Sequence, residues 1–142
     1  MRFLGIDYGR KRIGLAVSDP TGTIASPLET LKRRPGKRPP LGKIEEVARE
    51  HQVEAVVVGL PLELSGEDSE WTEEVRHVGK RLGERLDLPV HTVDERMTSV
   101  RAERVIRKGL GLPRKKREER GRVDAAAAVL ILQGWLDGRG GS

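Results

Sequence analysis

The run Ala55-Val56-Val57-Val58-Gly59 constrains the fold more than any other stretch of the chain. Its residues are all apolar and its centre is β-branched, so no face is left to look at water and the run reads as a strand covered on both sides. Ahead of it, Leu41, Ile44, Val47 and Ala48 recur at helical spacing and make Leu41 to His51 an amphipathic helix. A helix that feeds a doubly buried strand signals parallel pairing, and with it an α/β architecture.

The rest of the chain organises around that strand. Arg2 to Asp7 and Ile13 to Ser18 are short apolar runs joined through Gly9, a hairpin. Asp19-Pro20-Thr21-Gly22 signals a second turn, and Thr23 to about Thr30 a third strand, so the chain opens as a meander. Leu31 to Pro40, rich in Pro, Lys and Arg, reads as a mobile basic loop. Past a turn-rich segment, Trp71, Val75, Val78, Leu82 and Leu86 predict a long helix capped by Asp68 or Ser69. Pro89 to Val93 is a fifth strand. Thr98 can cap a helix carrying Ala102, Val105 and Ile106, stopped by Gly109 and Gly111. Gly109 to Gly121 is then expected to be a second flexible basic loop, and Val123 to Leu136 a last helix so apolar that most of its surface must be buried. With 142 residues there is room for one domain, expected over residues 1–137 with a flexible tail at 138–142.

Composition removes several function classes. The chain has no cysteine, which excludes disulfides, thiolate metal sites and cysteine nucleophiles. No apolar run approaches the roughly 20 residues of a membrane span, and the N-terminal MRFLGIDYGR lacks the apolar centre of a signal peptide, so a cytoplasmic protein without membrane partners is expected. The net charge is +5, but its segregation is more telling. Lys32 to Lys43 holds six basic residues and no acid; Arg96 to Arg122 holds eleven bases against three acids; Ile44 to Glu95 between them holds fourteen acids against five bases. Clustered Lys and Arg are the footprint of a phosphate-backbone ligand.

Three carboxylate positions could serve such a ligand. Asp7 ends the first strand beside Gly9, where it is either a turn aspartate or a ligand group. Asp94 and Glu95 end the fifth strand, at the carboxyl edge where sites in α/β sheets gather; alternation along an extended segment allows at most one of them to join Asp7. Asp124 starts the final apolar helix, where the helix dipole alone would favour it. Together they form a set that could converge on hard divalent cations, Mg²⁺ or Mn²⁺, at one end of the sheet. His51, His77 and His91 are scattered without metal-ligand spacing, no G-x-S-x-G elbow or Walker lysine motif is present, and Trp71 and Trp135 sit at core positions of helical patterns.

Gly5-Ile6-Asp7-Tyr8-Gly9 with Arg12-Ile13-Gly14-Leu15-Ala16, Val58-Gly59-Leu60-Pro61, Asp94-Glu95-Arg96 with Thr98-Ser99, and Val123-Asp124-Ala125-Ala126-Ala127 together resemble the YqgF family, also called RuvX. The resemblance covers almost the whole chain. It implies an RNase H-like fold, related to RuvC Holliday-junction resolvases, with a mixed five-stranded sheet of three antiparallel and then two parallel strands flanked by helices. It implies Asp7, Glu95 and Asp124 as catalytic, metal-binding residues, and a role in maturing the 5′ end of small-subunit (16S) ribosomal RNA. After Pro61 the sequence Leu62-Glu63-Leu64-Ser65-Gly66 departs from the family's commoner Leu-Asn-Met-Asp-Gly. The reading that follows is a metal-dependent endonuclease for structured RNA, such as precursor ribosomal RNA, or branched DNA. Arg10, Lys11, Arg12, Arg33, Arg34, Lys37, Arg38, Arg96, Arg114, Lys115, Lys116 and Arg117 would track phosphates, and a homodimer is expected if four-way junctions are the substrate. The alternative is an RNA-binding ribosome-assembly factor with little or no catalysis.

Overall fold

A computed structural model of the chain describes residues 1–33, 38–62, 65–97 and 117–140, with side chains in the last stretch described from Ala126 to Arg139. Strands β1 (Phe3–Tyr8), β2 (Arg12–Ser18) and β3 (Ala25–Lys32) are followed by α1 (Leu41–Glu50), β4 (Ala55–Leu60), α2 (Glu70–Leu86), β5 (Val90–Asp94), a 3₁₀ turn (Glu95–Met97) and α3 (Arg117–Gly140). The helix expected after Thr98 lies outside the described residues.

The strands form one sheet in the order β3-β2-β1-β4-β5. β2 runs antiparallel to both β1 and β3, while β4 pairs parallel with β1 and with β5. This is the mixed sheet the resemblance implied. β4 holds its expected place: every residue from Ala55 to Leu60 is buried, with Val56 and Val58 in one apolar cluster and Ala55 and Val57 in the other. The period of two thus divides the molecule. On one face Leu4, Ile6, Tyr8, Ile13 and Leu15 meet α1 and α2; on the other Phe3 and Ala16 meet Ala128, Ile131, Leu132 and Leu136 of α3.

Local chemistry fixes the helix ends. At the start of α2 Ser69 accepts a hydrogen bond from the Thr72 backbone at 3.1 Å while Thr72 Oγ1 accepts from the Ser69 backbone at 3.1 Å, a reciprocal cap. The same Thr72 hydroxyl donates to the Pro61 carbonyl at 2.7 Å, so the first turn of α2 is tied to the end of β4. α3 approaches the sheet closely at Gly5, where a Cβ would stand 2.7 Å from that of Leu132. Gln133 fastens it to β3, accepting from the Ala25 backbone and donating to the Thr23 carbonyl, each at 2.9 Å.

Three expectations need correction. β3 reaches Lys32, and Arg33 continues its pairing by donating to the Lys11 carbonyl at 2.8 Å, so Leu31 to Arg33 belong to the sheet and not to a basic loop. α3 begins at Arg117, inside the segment expected to be a second loop, and runs through Gly140 into the expected tail. Asp124 therefore lies beyond the first turn of its helix, and the dipole no longer accounts for a carboxylate there.

Candidate active site

β1 carries Phe3, Gly5 and Asp7 on the α3 face and Leu4, Ile6 and Tyr8 on the α2 face. Asp7 stands opposite Gly14 on β2, and the register that pairs Ile6 with Val58 brings it level with Gly59 on β4. Both neighbours lack a side chain. A Cβ on Gly59 would lie 2.5 Å from Ile131 Cδ1 and 3.2 Å from Glu95 Oε1. The Glu95 carboxylate therefore occupies space at the carboxyl end of β4 that any larger residue would fill.

Asp7 is 4% exposed and Glu95 5% exposed, two carboxylates buried at the same end of the sheet. The neighbouring candidate, Asp94, has another task. It receives the Arg96 guanidinium at 2.6 Å and the Arg96 backbone at 2.9 Å. These bonds push the Arg96 guanidinium above its ordinary range. Of the pair at the end of β5, Glu95 is thus the one brought toward Asp7, since Val93 packs on the α3 face and alternation from it puts Glu95 on that face and Asp94 on the other. Asp124 lies within α3, before its described side chains. Among the described residues no group of three His, Asp or Glu side chains is placed to hold a metal ion.

The basic candidates separate into distinct groups. Arg10, Lys11 and Arg38 are exposed. Arg12, at the start of β2, has its Nη1 buried without a hydrogen-bond partner among the described residues. Arg33 is not a free phosphate contact: its side chain is 13% exposed, it pairs with Glu74 at 2.9 Å, and its Cζ lies 4.9 Å from the Tyr8 ring centroid. Arg96 is held by Asp94 and packs under the loop after Pro61, where a Cβ on Gly66 would meet its Nη atoms at 3.2 Å. Arg34, Lys37, Arg114, Lys115 and Lys116 fall outside the described residues, as does the side chain of Arg117.

Sequence reasoning missed two features. One is Gly59, although a glycine inside a buried strand is a standing signal of close approach. The other is the environment of Trp71, which is partly buried rather than enclosed. It stacks on Tyr8 with centroids 5.7 Å apart, and the exposed Arg10 guanidinium covers its ring at 4.5 Å. Burial raises the Tyr8 phenol above its ordinary range, with the Arg33 cation opposing.

Comparison with known proteins identifies the family. Residues 1–138 match the family model RuvX, described as Holliday junction resolvase. A protein of Koribacter versatilis named "Putative pre-16S rRNA nuclease" is 48% identical over 139 residues, spanning 98% of this chain and 88% of its own. One of the same name from Anaeromyxobacter dehalogenans is 45% identical over 140 residues, spanning 98% of each. Among solved structures, T. thermophilus RuvC in complex with Holliday junction substrate superimposes with a TM-score of 0.60 at 20% identity, over 99% of this chain and 97% of that one, a likeness of fold.

Proposed function

The chain belongs to the RuvX family, and from that membership we propose that it is a divalent-metal-dependent endonuclease with Asp7, Glu95 and Asp124 as its metal-holding residues. The observation that carries the proposal is the burial of Asp7 and Glu95 at one end of the sheet around a residue that has no Cβ. Two buried like charges are costly unless a cation offsets them. The donors are hard carboxylate oxygens, and neither thiolate nor imidazole lies among them, a set suited to Mg²⁺ or Mn²⁺. In the sequence Asp124 recurs with Ala128 and Ile131 at helical spacing, which supports it as the third member.

When bound, the metal would lower the pKa of a water and neutralise charge gathering on the phosphate. The chain supplies the rest. Arg12, beside the carboxylate end of the hairpin, and the exposed Arg10 and Lys11 are set to take the phosphate backbone. Ile131 and Leu132, both fully buried, form an apolar floor that keeps bulk water from the carboxylates.

Precursor 16S ribosomal RNA is the first substrate to test, because the relatives sharing that name are 39–48% identical whereas the junction-bound RuvC shares 20%. An RNA substrate of that kind implies the cytoplasm. A four-way junction is the second, and it would call for two active sites and hence a homodimer. The experiment is cleavage of both substrates with Mg²⁺, Mn²⁺ or chelator by the wild type, Asp7→Asn, Glu95→Gln and Asp124→Asn. Each substitution should cost more than about a hundredfold in rate, the scale of removing one group that stabilises developing charge. Cleavage that persists in Asp7→Asn, or in chelator, would overturn the mechanism. RNA binding without cleavage by the wild type would turn the reading to an assembly factor.

A further inference from the structure

Trp71 and its neighbours form a feature the carboxylate chemistry does not use. The chain has only four aromatic residues besides histidine, and two of them, Tyr8 and Trp71, are stacked directly behind the end of β1 that carries Asp7. Arg10 lies over the Trp71 ring at 4.5 Å, and Arg33 stands 5.4 Å from the same ring and 4.9 Å from Tyr8. Arg10 is exposed and Trp71 only partly buried, so the guanidinium that covers the ring borders solvent. A planar cation held over an indole occupies the position that a stacked base takes in single-strand binders.

A second observation points the same way. Tyr8 is 3% exposed, and among the described residues its hydroxyl finds no acceptor, the Arg33 guanidinium beside it being able only to donate. A buried phenol left without an acceptor is unusual inside a protein, where such groups are nearly always paired. A base edge or phosphate oxygen arriving at the ring would bring acceptors to this cluster.

We propose that Trp71, flanked by Arg10 and Arg33, is a stacking site for an unpaired nucleobase of the strand that leads to the carboxylates. Asp7 and Tyr8 are consecutive but face opposite sides of the sheet, so the strand would pass around the β1–β2 turn, with Arg10, Lys11 and Arg12 along its path. Discrimination follows from this placement: a base in a duplex is already stacked and cannot offer its face, while an unpaired one can. The inference rests on the nuclease reading only for where the strand leads.

The test is fluorescence anisotropy with labelled single-stranded RNA and DNA oligonucleotides and with a duplex of the same sequence, all in chelator so that nothing is cut. Trp71→Ala is expected to weaken single-strand binding about tenfold and to leave duplex affinity within about twofold, the signature of lost base stacking. Trp71→Phe keeps a ring and should recover most of the affinity. In Trp135→Phe, where Trp71 is the one remaining indole, emission should be quenched on adding single strand and unchanged on adding duplex. Unaltered single-strand affinity in Trp71→Ala, equal losses on single strand and duplex, or no quenching would overturn the proposal. The quenching arm needs no destabilising substitution at Trp71. Because binding is read without metal, these outcomes are independent of whether Asp7→Asn abolishes cleavage.

Discussion

The two ends of β1 each carry an aromatic ring, a tryptophan and arginine, assembled to different effect. At the start of the strand Phe3 meets Trp135 edge-on at 4.9 Å, His91 stacks on Trp135 at 4.8 Å, and Arg139 covers Phe3 at 4.7 Å. At its end Tyr8 stacks on Trp71, with Arg10 and Arg33 over the rings. The first assembly joins the C-terminal part of α3 to the sheet and, among the described residues, leaves no buried polar atom unpaired. The second contains a Tyr8 hydroxyl that finds no acceptor among the described residues, and it lies beside the carboxylates. Similar residue types therefore serve packing at one end, and at the other hold polar groups in readiness for something else.

The comparison breaks most readily at Trp135. Trp135→Ala removes the ring that Phe3, His91 and Arg139 all touch, and should cost roughly 3 kcal/mol, within the range for truncating a large aromatic that is not wholly enclosed. Urea denaturation measures it. Single-strand affinity of the folded fraction should not change. A fall in affinity matching that of Trp71→Ala would erase the distinction between the two ends.

How far the sequence discloses this distinction differs from residue to residue. The doubly buried β4 is legible because an unbroken Val run admits few alternatives, and the N-terminal meander because turn residues punctuate it. Asp7 and Glu95 stand out only when strand ends are compared, and the family resemblance chooses between Asp94 and Glu95 before the Arg96 ion pair explains the choice. Arg33 misleads, since its neighbours look like a loop; what fixes it is Glu74, distant in sequence, and the rings of Tyr8 and Trp71. Trp71 misleads in the other direction. Helical spacing places it in the core pattern, and spacing carries no information about an arginine arriving from the β1–β2 turn to cover it. The start of α3 is hidden because Arg117 to Arg122 are polar, and periodicity sees a helix only where an apolar face begins.

Gly59 sharpens the contrast at the end that carries the carboxylates. Gly59→Ala puts a methyl against Ile131, which is fully buried, and against the Glu95 carboxylate. Overpacking of this kind costs about 1–2 kcal/mol, smaller than the loss of a tryptophan. Cleavage should suffer more than stability, because Glu95 must shift to admit the methyl. Thermal melting and cleavage rates on the same preparation check this. A variant that is destabilised but cleaves at the wild-type rate per folded molecule would separate Glu95 from the active set.

The smallest effect separates the two ends by pH. Near the start of β1, Asp19 accepts hydrogen bonds from the backbone of Ile24 at 2.9 Å and Thr23 at 2.8 Å, and another from the Thr21 hydroxyl. These bonds, that from Ile24 foremost, hold its carboxyl well below the usual carboxylate range. A carboxyl whose pKa is lower folded than unfolded adds stability above its unfolded value, near about 4, and loses that contribution as pH falls toward the folded value. Asp19→Ala should therefore melt below the wild type at pH 7, and the gap should narrow on acidification below about pH 4. At the other end Tyr8, pushed up by burial, stays a neutral phenol throughout that window. Trp71→Ala should accordingly show no narrowing traceable to Tyr8. A gap for Asp19→Ala that stays constant between pH 7 and pH 3 would show that the turn is held by backbone shape rather than by the charged carboxylate.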